Sequence, residues 1–466
     1  MSNVSRRIHH LTTILRMNST ADNGITRFSV FVPGAFPQHS YVRRTFRHGR
    51  TGEDFDPESQ IAEALQKPGI IAQVVGPSKS GKTRAIENCV GELNLITVAG
   101  SQIGHGVSLW DVVQRMLRTP LSTESTRSAG TSLGGETSIS ASVELPLLAS
   151  VDSEVKVSAE RTNERAETQA FEADPFQNSL TALKTTGKVL FLDDFHTIPQ
   201  TEQSTVAAQL KAAAQFGIKI CLAEVPHHSD STISALPDLT GRVQKIEFQY
   251  WSPDDLSAIG TLGFGKLNAV VSPATLSAFA MEAAGSPQLM QLVCLNAAAH
   301  AGIKERAAQA RNIQLDVSDL RLVLLKTHST VDRERIFKIL DQGPDERGNP
   351  RNRYPVYALG EGDNYEIALA AISLSPPMTS LTWNNGPDNL LKRIDRVCSE
   401  LNRRPGRAQV TRALEQMQAL AEKHMARQPI IEWSAATGLQ ILDPYFLFHL
   451  RWSEKYEKFR SPVPAA

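Results

Sequence analysis

Nothing in the sequence approaches the about 20 consecutive apolar residues that cross a bilayer, so no membrane partner is expected. Cysteine is scarce: Cys89, Cys221, Cys294 and Cys398 stand far apart, and three of them lie in apolar segments typical of buried thiols. That scatter excludes a disulfide framework and points to a reducing, cytoplasmic setting. An excess of one charge is also missing. With 49 basic residues against 49 acidic ones, no global field drives the chain toward DNA or an anionic membrane, and any nucleic-acid footprint must be local. The N-terminus carries Arg6, Arg7 and Arg16 with no acid before Asp22, but it lacks the apolar core of a secretory signal. Residues 1–34 therefore read as a flexible arm.

What is present is globular: 466 residues, 41% hydrophobic and 21% charged, are enough for two or three domains. Residues 69–75 form a short, β-branched apolar run that reads as a buried parallel strand. A helix is expected over 82–90, a strand over 93–99 and a helix over 108–117. Beyond Pro120 the composition turns to Ser, Thr and Gly. Interrupted polar and apolar alternation over 137–159 then suggests a β-rich insertion at about 121–174. Further strands are expected at 188–192, 218–223 and 243–248, with helices around 175–183 and 201–215 between them. Strands alternating with helices over 35–250 predict a three-layer α/β domain built on a parallel sheet.

Residues 253–305 show no convincing strand, so 251–340 reads as a helical lid with connecting helices. Residues 341–362, rich in Gly, Pro, Arg and Asn, read as a linker loop. Helices at 365–373, 390–401 and 407–425 followed by short strands at 429–433 and 439–442 suggest a winged-helix module over 363–466. Asp443-Pro444 supplies an acceptor side chain and a fixed φ, which suits the start of a last helix over 445–452.

The most specific signal is Gly76-Pro77-Ser78-Lys79-Ser80-Gly81-Lys82-Thr83, which satisfies G-x-x-x-x-G-K-[ST] and sits between a predicted strand and a predicted helix. Such a loop cradles phosphate on backbone amides at a helix N-terminus. In ATP, Lys82 is expected to reach the β- and γ-phosphates, Thr83 to offer its hydroxyl to Mg²⁺, and Arg84 to complete the nucleotide-binding run from Gly76. A metal-bound triphosphate also needs a carboxylate at an adjacent strand tip, and Val189-Leu190-Phe191-Leu192-Asp193-Asp194 supplies two. Asp193 is expected to hold the metal. Asp194 would orient or deprotonate the attacking water, or else cap a helix or stand behind the metal. His196 either reports the γ-phosphate or ties the sheet edge.

These residues resemble the AAA+ and STAND superfamily of P-loop ATPases, in particular its origin-recognition-like branch. The likeness rests on residues 76–83, on Asp193-Asp194-Phe195-His196, on Pro237 to Phe248 with Ser252-Pro253-Asp254-Asp255-Leu256, and on Gly285-Ser286-Pro287-Gln288-Leu289-Met290. It implies ATP hydrolysis with Mg²⁺, a homo-oligomer, and a protein partner or effector chain. Arg242 would then be an arginine finger facing a neighbouring subunit's nucleotide, a sensor in its own site, or an ordinary salt-bridged arginine. Gln288 stands near where many relatives place a lid arginine, which suits a slow switch better than a fast motor. Glu224, His227 and His228 follow a strand from which a polar residue could watch the γ-phosphate; the adjacent histidines lack the further ligands of a zinc site.

The C-terminal module could bind double-stranded DNA through Arg403, Arg404, Arg407, Arg412, Lys423 and Arg427. Glu415, Glu422 and Glu432 interrupt that surface and suit a protein partner equally. Alternatives to a switching ATPase are an ATP-regulated DNA-binding protein and a nucleotide-binding scaffold with little turnover.

Overall fold

A computed structural model describes residues 24–47, 54–117, 174–225, 239, 241–345, 350–425 and 430–460. The expected β-rich insertion, His227, His228 and Arg427 lie outside the described residues, as do residues 1–23.

The first domain is a three-layer α/β sandwich. Strands β1 (Ile71–Val75), β2 (Leu95–Ala99), β3 (Val189–Asp193), β4 (Ile220–Glu224) and β5 (Val243–Glu247) form one parallel sheet in the order β2-β3-β4-β1-β5. Alternate side chains of one strand feed opposite layers, as the two-residue repeat of a strand requires. Leu190 and Leu192 of β3 pack with α3 (Leu109–Leu117), α4 (Pro175–Thr186) and α5 (Gln200–Gln215). Val189 and Phe191 pack with α1 (Pro57–Ala64) and α2 (Lys82–Val90) on the other face. Burial on both faces is why these strands read as unbroken apolar runs. A parallel sheet of this order, with a phosphate-type loop after β1 and acids at the tip of β3, is the α/β fold of P-loop NTPases.

A helical unit follows, where the lid is expected: α6 (Pro253–Lys266), α7 (Pro273–Glu282), α8 (Pro287–His300) and α9 (Val317–His328). No strand is expected over 253–305, yet Ala269–Val271 pairs in parallel with Arg311–Ile313. Three residues are too few to show a period. A helical turn at Arg27–Val30, capped by Thr26, buries Val30 and Phe31 in the core of these helices, so residues 27–31 belong to the fold and not to the arm expected over 1–34.

Helix α10 (Glu334–Gln342) leads into the C-terminal module. The stretch expected to be a loop contains an antiparallel hairpin, Tyr354–Val356 with Gly360–Gly362. Its strands are held by backbone pairing, which side-chain patterning does not reveal. Helices α11 (Asn364–Ser373), α12 (Leu390–Val397) and α13 (Arg407–His424) then surround a three-stranded antiparallel sheet. In that sheet Gly438–Ile441 lies between Ser380–Leu381 and Ile431–Ser434. The last helix, α14 (Pro444–Trp452), joins two cores. Phe446, Leu447 and Leu450 pack into the C-terminal module, while Phe448 and Trp452 pack into the lid. No helix among the described residues is long and apolar enough to cross a membrane.

Candidate functional site

The glycine-rich loop leaves β1 at Gly76, over which Phe248 passes so closely that a Cβ would stand 2.6 Å from the Phe248 carbonyl oxygen. Only glycine fits there. Further on, Lys79 (φ 59°) and Gly81 (φ 93°) adopt left-handed backbone, curling the chain so that α2 starts at Lys82 with Gly81 as its N-cap. Helix α2 thus presents its first N–H groups to the cleft lined by Ser78, Thr83, Asp193 and Asp194.

Lys82 is buried, and its Nζ donates to the carbonyls of Gly76 and Pro77, each at 2.8 Å. Burial pushes its amine down to about 8, against the opposing pull of Asp193, Asp194 and Glu224. The Thr83 hydroxyl donates to Asp193 Oδ2 at 2.9 Å. This bond spans 110 positions of sequence and joins the tips of β1–α2 and β3. Burial raises the Asp193 carboxyl above the usual carboxylate range, helped by the adjacent Asp194 charge and opposed by Thr83 and Lys82. Burial likewise raises Asp194. Two acids lifted in this way are complementary to added positive charge.

Asp194 has left-handed backbone (φ 52°) and precedes a helical turn at Phe195–Thr197, but its side chain does not cap that turn. Its carbonyl, not its carboxylate, accepts from Thr197. The carboxylate lines the cleft, so its expected role as a cap does not hold. His196 is half-buried on the same turn. Thr83 and Asp193 make an all-oxygen donor pair already in contact. Such a pair fits Mg²⁺, which takes one or two protein ligands and completes its shell with phosphate oxygens and water.

Other walls of the cleft were less visible in sequence. From the lid, Pro287, Gln288 and Gln291 reach it. Gln291 Oε1 accepts the Val32 N–H at 3.2 Å, tying α8 to the N-terminal segment. Arg84 pairs with Glu87 and donates to Gly34 O at 3.1 Å, so it fastens α2 to that same segment. Glu224 ends β4, fully buried, and accepts from Gln73 Nε2. Among the possible γ-phosphate watchers, it is the described one whose charge acts on Lys82.

Arg242 stands elsewhere. Its carbonyl accepts from Ile71 N–H at 2.8 Å, and the register pairs Ile71 with Val243 and Val75 with Glu247. It therefore lies at the far end of β1 from the phosphate loop, about four residue steps or roughly 13 Å away. That distance corrects the alternative of Arg242 as a sensor in its own site. Arg44, Trp251 and Asp443, which touch the loop from outside the motif, were not singled out by any sequence pattern as parts of this site.

No family model matches the chain, and no curated protein matches it by sequence. Among solved structures, it is similar to a Walker-type ATPase of Pyrococcus abyssi at 13% identity and a TM-score of 0.45, over 85% of this chain and 94% of that one. It is similar to Cdc6p from Pyrobaculum aerophilum at 15% identity and a TM-score of 0.36, over 93% and 99%. The RuvB Holliday junction branch migration motor of Thermotoga maritima follows at 12% identity and a TM-score of 0.35, over 83% and 90%. At such identities and scores, function rests on the site's own geometry.

Proposed function

We propose that this chain binds ATP with Mg²⁺ at the loop between β1 and α2 and hydrolyses it, as an AAA+ and STAND type ATPase. Its nucleotide state would switch its conformation or its assembly on a partner. The observation that carries this reading is the Thr83–Asp193 hydrogen bond, because it places a hydroxyl and a carboxylate from two strand tips on one prospective metal position. Lys82, which now donates to loop carbonyls, would turn to the β- and γ-phosphates. Backbone amides of Gly76 to Thr83 would hold the phosphate chain. Thr83 and Asp193 would carry Mg²⁺, which would neutralise phosphate charge there. Asp194 would orient the attacking water and accept its proton. Positioning and electrostatics do most of this work.

In this reading Arg242, at the far end of β1, acts only on the nucleotide of a neighbouring copy, which makes the ATPase a homo-oligomer. A winged-helix C-terminal module facing a protein is favoured over one facing DNA. Arg404 is paired with Asp395 at 2.8 Å and Arg403 with Glu400 at 3.6 Å, which neutralises part of the basic region.

The test is ATP turnover with Mg²⁺ or EDTA, across protein concentration, for wild type, Lys82→Ala and Arg242→Ala, with and without duplex DNA. Mg²⁺-dependent turnover that rises with concentration and is lost in both variants is expected, with little response to DNA. Turnover unchanged in Lys82→Ala would overturn the site, and turnover unchanged in Arg242→Ala would overturn the intersubunit finger.

A further inference from the structure

One carbonyl of the phosphate loop is gripped from outside the motif by two side chains distant from it in sequence. Ser80 O accepts from Trp251 Nε1 at 2.8 Å and from Arg44 Nη2 at 3.2 Å. Arg44 is 5% exposed and makes no ion pair with a carboxylate among the described residues. Its other amino group donates to Gln249 O at 3.2 Å. Its guanidinium lies 4.1 Å from the Trp251 ring and 4.4 Å from that of Phe46, with Phe248 at 5.9 Å. A cation buried among rings without a carboxylate is costly unless something anionic stands nearby. Here the Asp255 and Glu58 carboxylates offset part of that cost from a distance, and the Ser80 carbonyl accepts from the guanidinium directly.

The peptide unit between Ser80 and Gly81 is planar and trans, so its C=O and N–H point in opposite directions. Two donors on the carbonyl therefore fix where the Gly81 N–H points, on the side of the loop away from Arg44 and Trp251. Gly81 needs such fixing, because a glycine at φ 93° has more backbone freedom than any other residue type. Trp251 also donates its own backbone N–H to Gly285 O at 3.1 Å, one residue before the cap of α8, so the same residue ties the loop to the start of that helix.

We propose that Arg44 and Trp251 are positioning residues of the phosphate cradle: by holding Ser80 O they aim the Gly81 N–H at the β-phosphate. The inference rests on the nucleotide reading above and names residues outside the motif on which its phosphate affinity depends. Its signature is selectivity. A nucleotide with a β-phosphate senses the grip, and a monophosphate, which lacks one, does not.

The test measures displacement of a fluorescent ADP analogue by ADP and by AMP, with thermal unfolding followed in parallel, for wild type, Trp251→Phe and Arg44→Lys. Trp251→Phe removes the donor and keeps a ring over Arg44. Loss of one aligned hydrogen bond sets the expected scale: ADP weakens about tenfold while AMP stays within about twofold. Arg44→Lys keeps the charge and one donor, so ADP weakens by about threefold and AMP again stays. Should Trp251→Phe fail to fold, the ADP-to-AMP ratio of Arg44→Lys decides. Equal weakening of ADP and AMP, or no change in either, overturns the positioning role while nucleotide binding stands. Failure of wild type to bind the analogue overturns both readings together.

Discussion

Lys79, inside the phosphate loop, is ion-paired at 2.9 Å with Asp443, the residue that caps the last helix of the chain. Asp443 also accepts from Arg333 Nε at 2.6 Å, and the Tyr445 ring lies 3.9 Å from the Lys79 amine. Burial alone would raise the Asp443 carboxyl, but the two cations outweigh it and hold the group below the usual carboxylate range. Helix α14 is thereby fastened to the glycine-rich loop by charge as well as to two hydrophobic cores by packing.

Removing that carboxylate charge leaves two cations facing a neutral group in a buried setting. Asp443→Asn is expected to cost about 3–5 kcal/mol in urea unfolding, as for other broken buried pairs. Combined with Lys79→Met the loss should fall short of the sum of the single losses. Strict additivity would show that the pair contributes nothing.

If Lys82 meets the phosphates as proposed, its depressed amine gives nucleotide affinity a pH dependence of definite sign. With its pKa lowered to about 8, the amine is protonated below that value and neutral above it. Phosphate charge raises the pKa on binding, so binding above pH 8 takes up a proton. ATP affinity should fall by up to about tenfold per pH unit from pH 8 upward. Titration calorimetry in buffers of different ionisation enthalpy should show proton uptake at pH 9 and little at pH 7.

Asp193 and Asp194 should separate cleanly on substitution. Asp193→Asn, which disturbs the Thr83 contact, is expected to erase the Mg²⁺ dependence of ATP affinity. Asp194→Asn should bind MgATP within a few-fold of wild type while turnover drops by about 10²-fold or more, the scale of a lost general base. Equal kinetic profiles for the two variants would remove the division of labour between them.

Glu282, at the end of α7, accepts from Arg451 Nη2 at 2.7 Å and from Trp452 Nε1 at 2.9 Å. Burial raises its carboxyl, but Arg451 and the Trp452 bond prevail and the group titrates below its ordinary range. A depressed folded pKa means stability present above the unfolded value and lost as pH falls through the folded one. Glu282→Gln should therefore destabilise the chain by about 3–5 kcal/mol at neutral pH. Its stability should fall less steeply on acidification than that of wild type, measured by thermal unfolding from pH 7 to pH 4.

The strands were legible because a parallel sheet buried on both faces demands apolar runs, and residues 71–75, 189–192 and 220–223 carry little else. The motif was legible because its glycines answer local backbone needs at Gly76 and Gly81. The strand pairing at Ala269–Val271 and the hairpin at 354–362 were not legible, since each strand is only three residues long. The helical turn at Arg27–Val30 was hidden for a similar reason: its burial comes from the lid core, far along the chain.

The sequence by itself determined the sheet, the phosphate loop and the paired acids, because each is written in a contiguous run whose physics is local. Only the tertiary structure decided that Thr83 meets Asp193, that Arg242 lies at the wrong end of β1 to serve its own site, and that Arg44, Trp251 and Asp443 hold the loop from outside. Those relationships depend on strand order and on how the lid and last helix dock. Contacts between residues 36 to 364 positions apart leave no periodic trace along the chain.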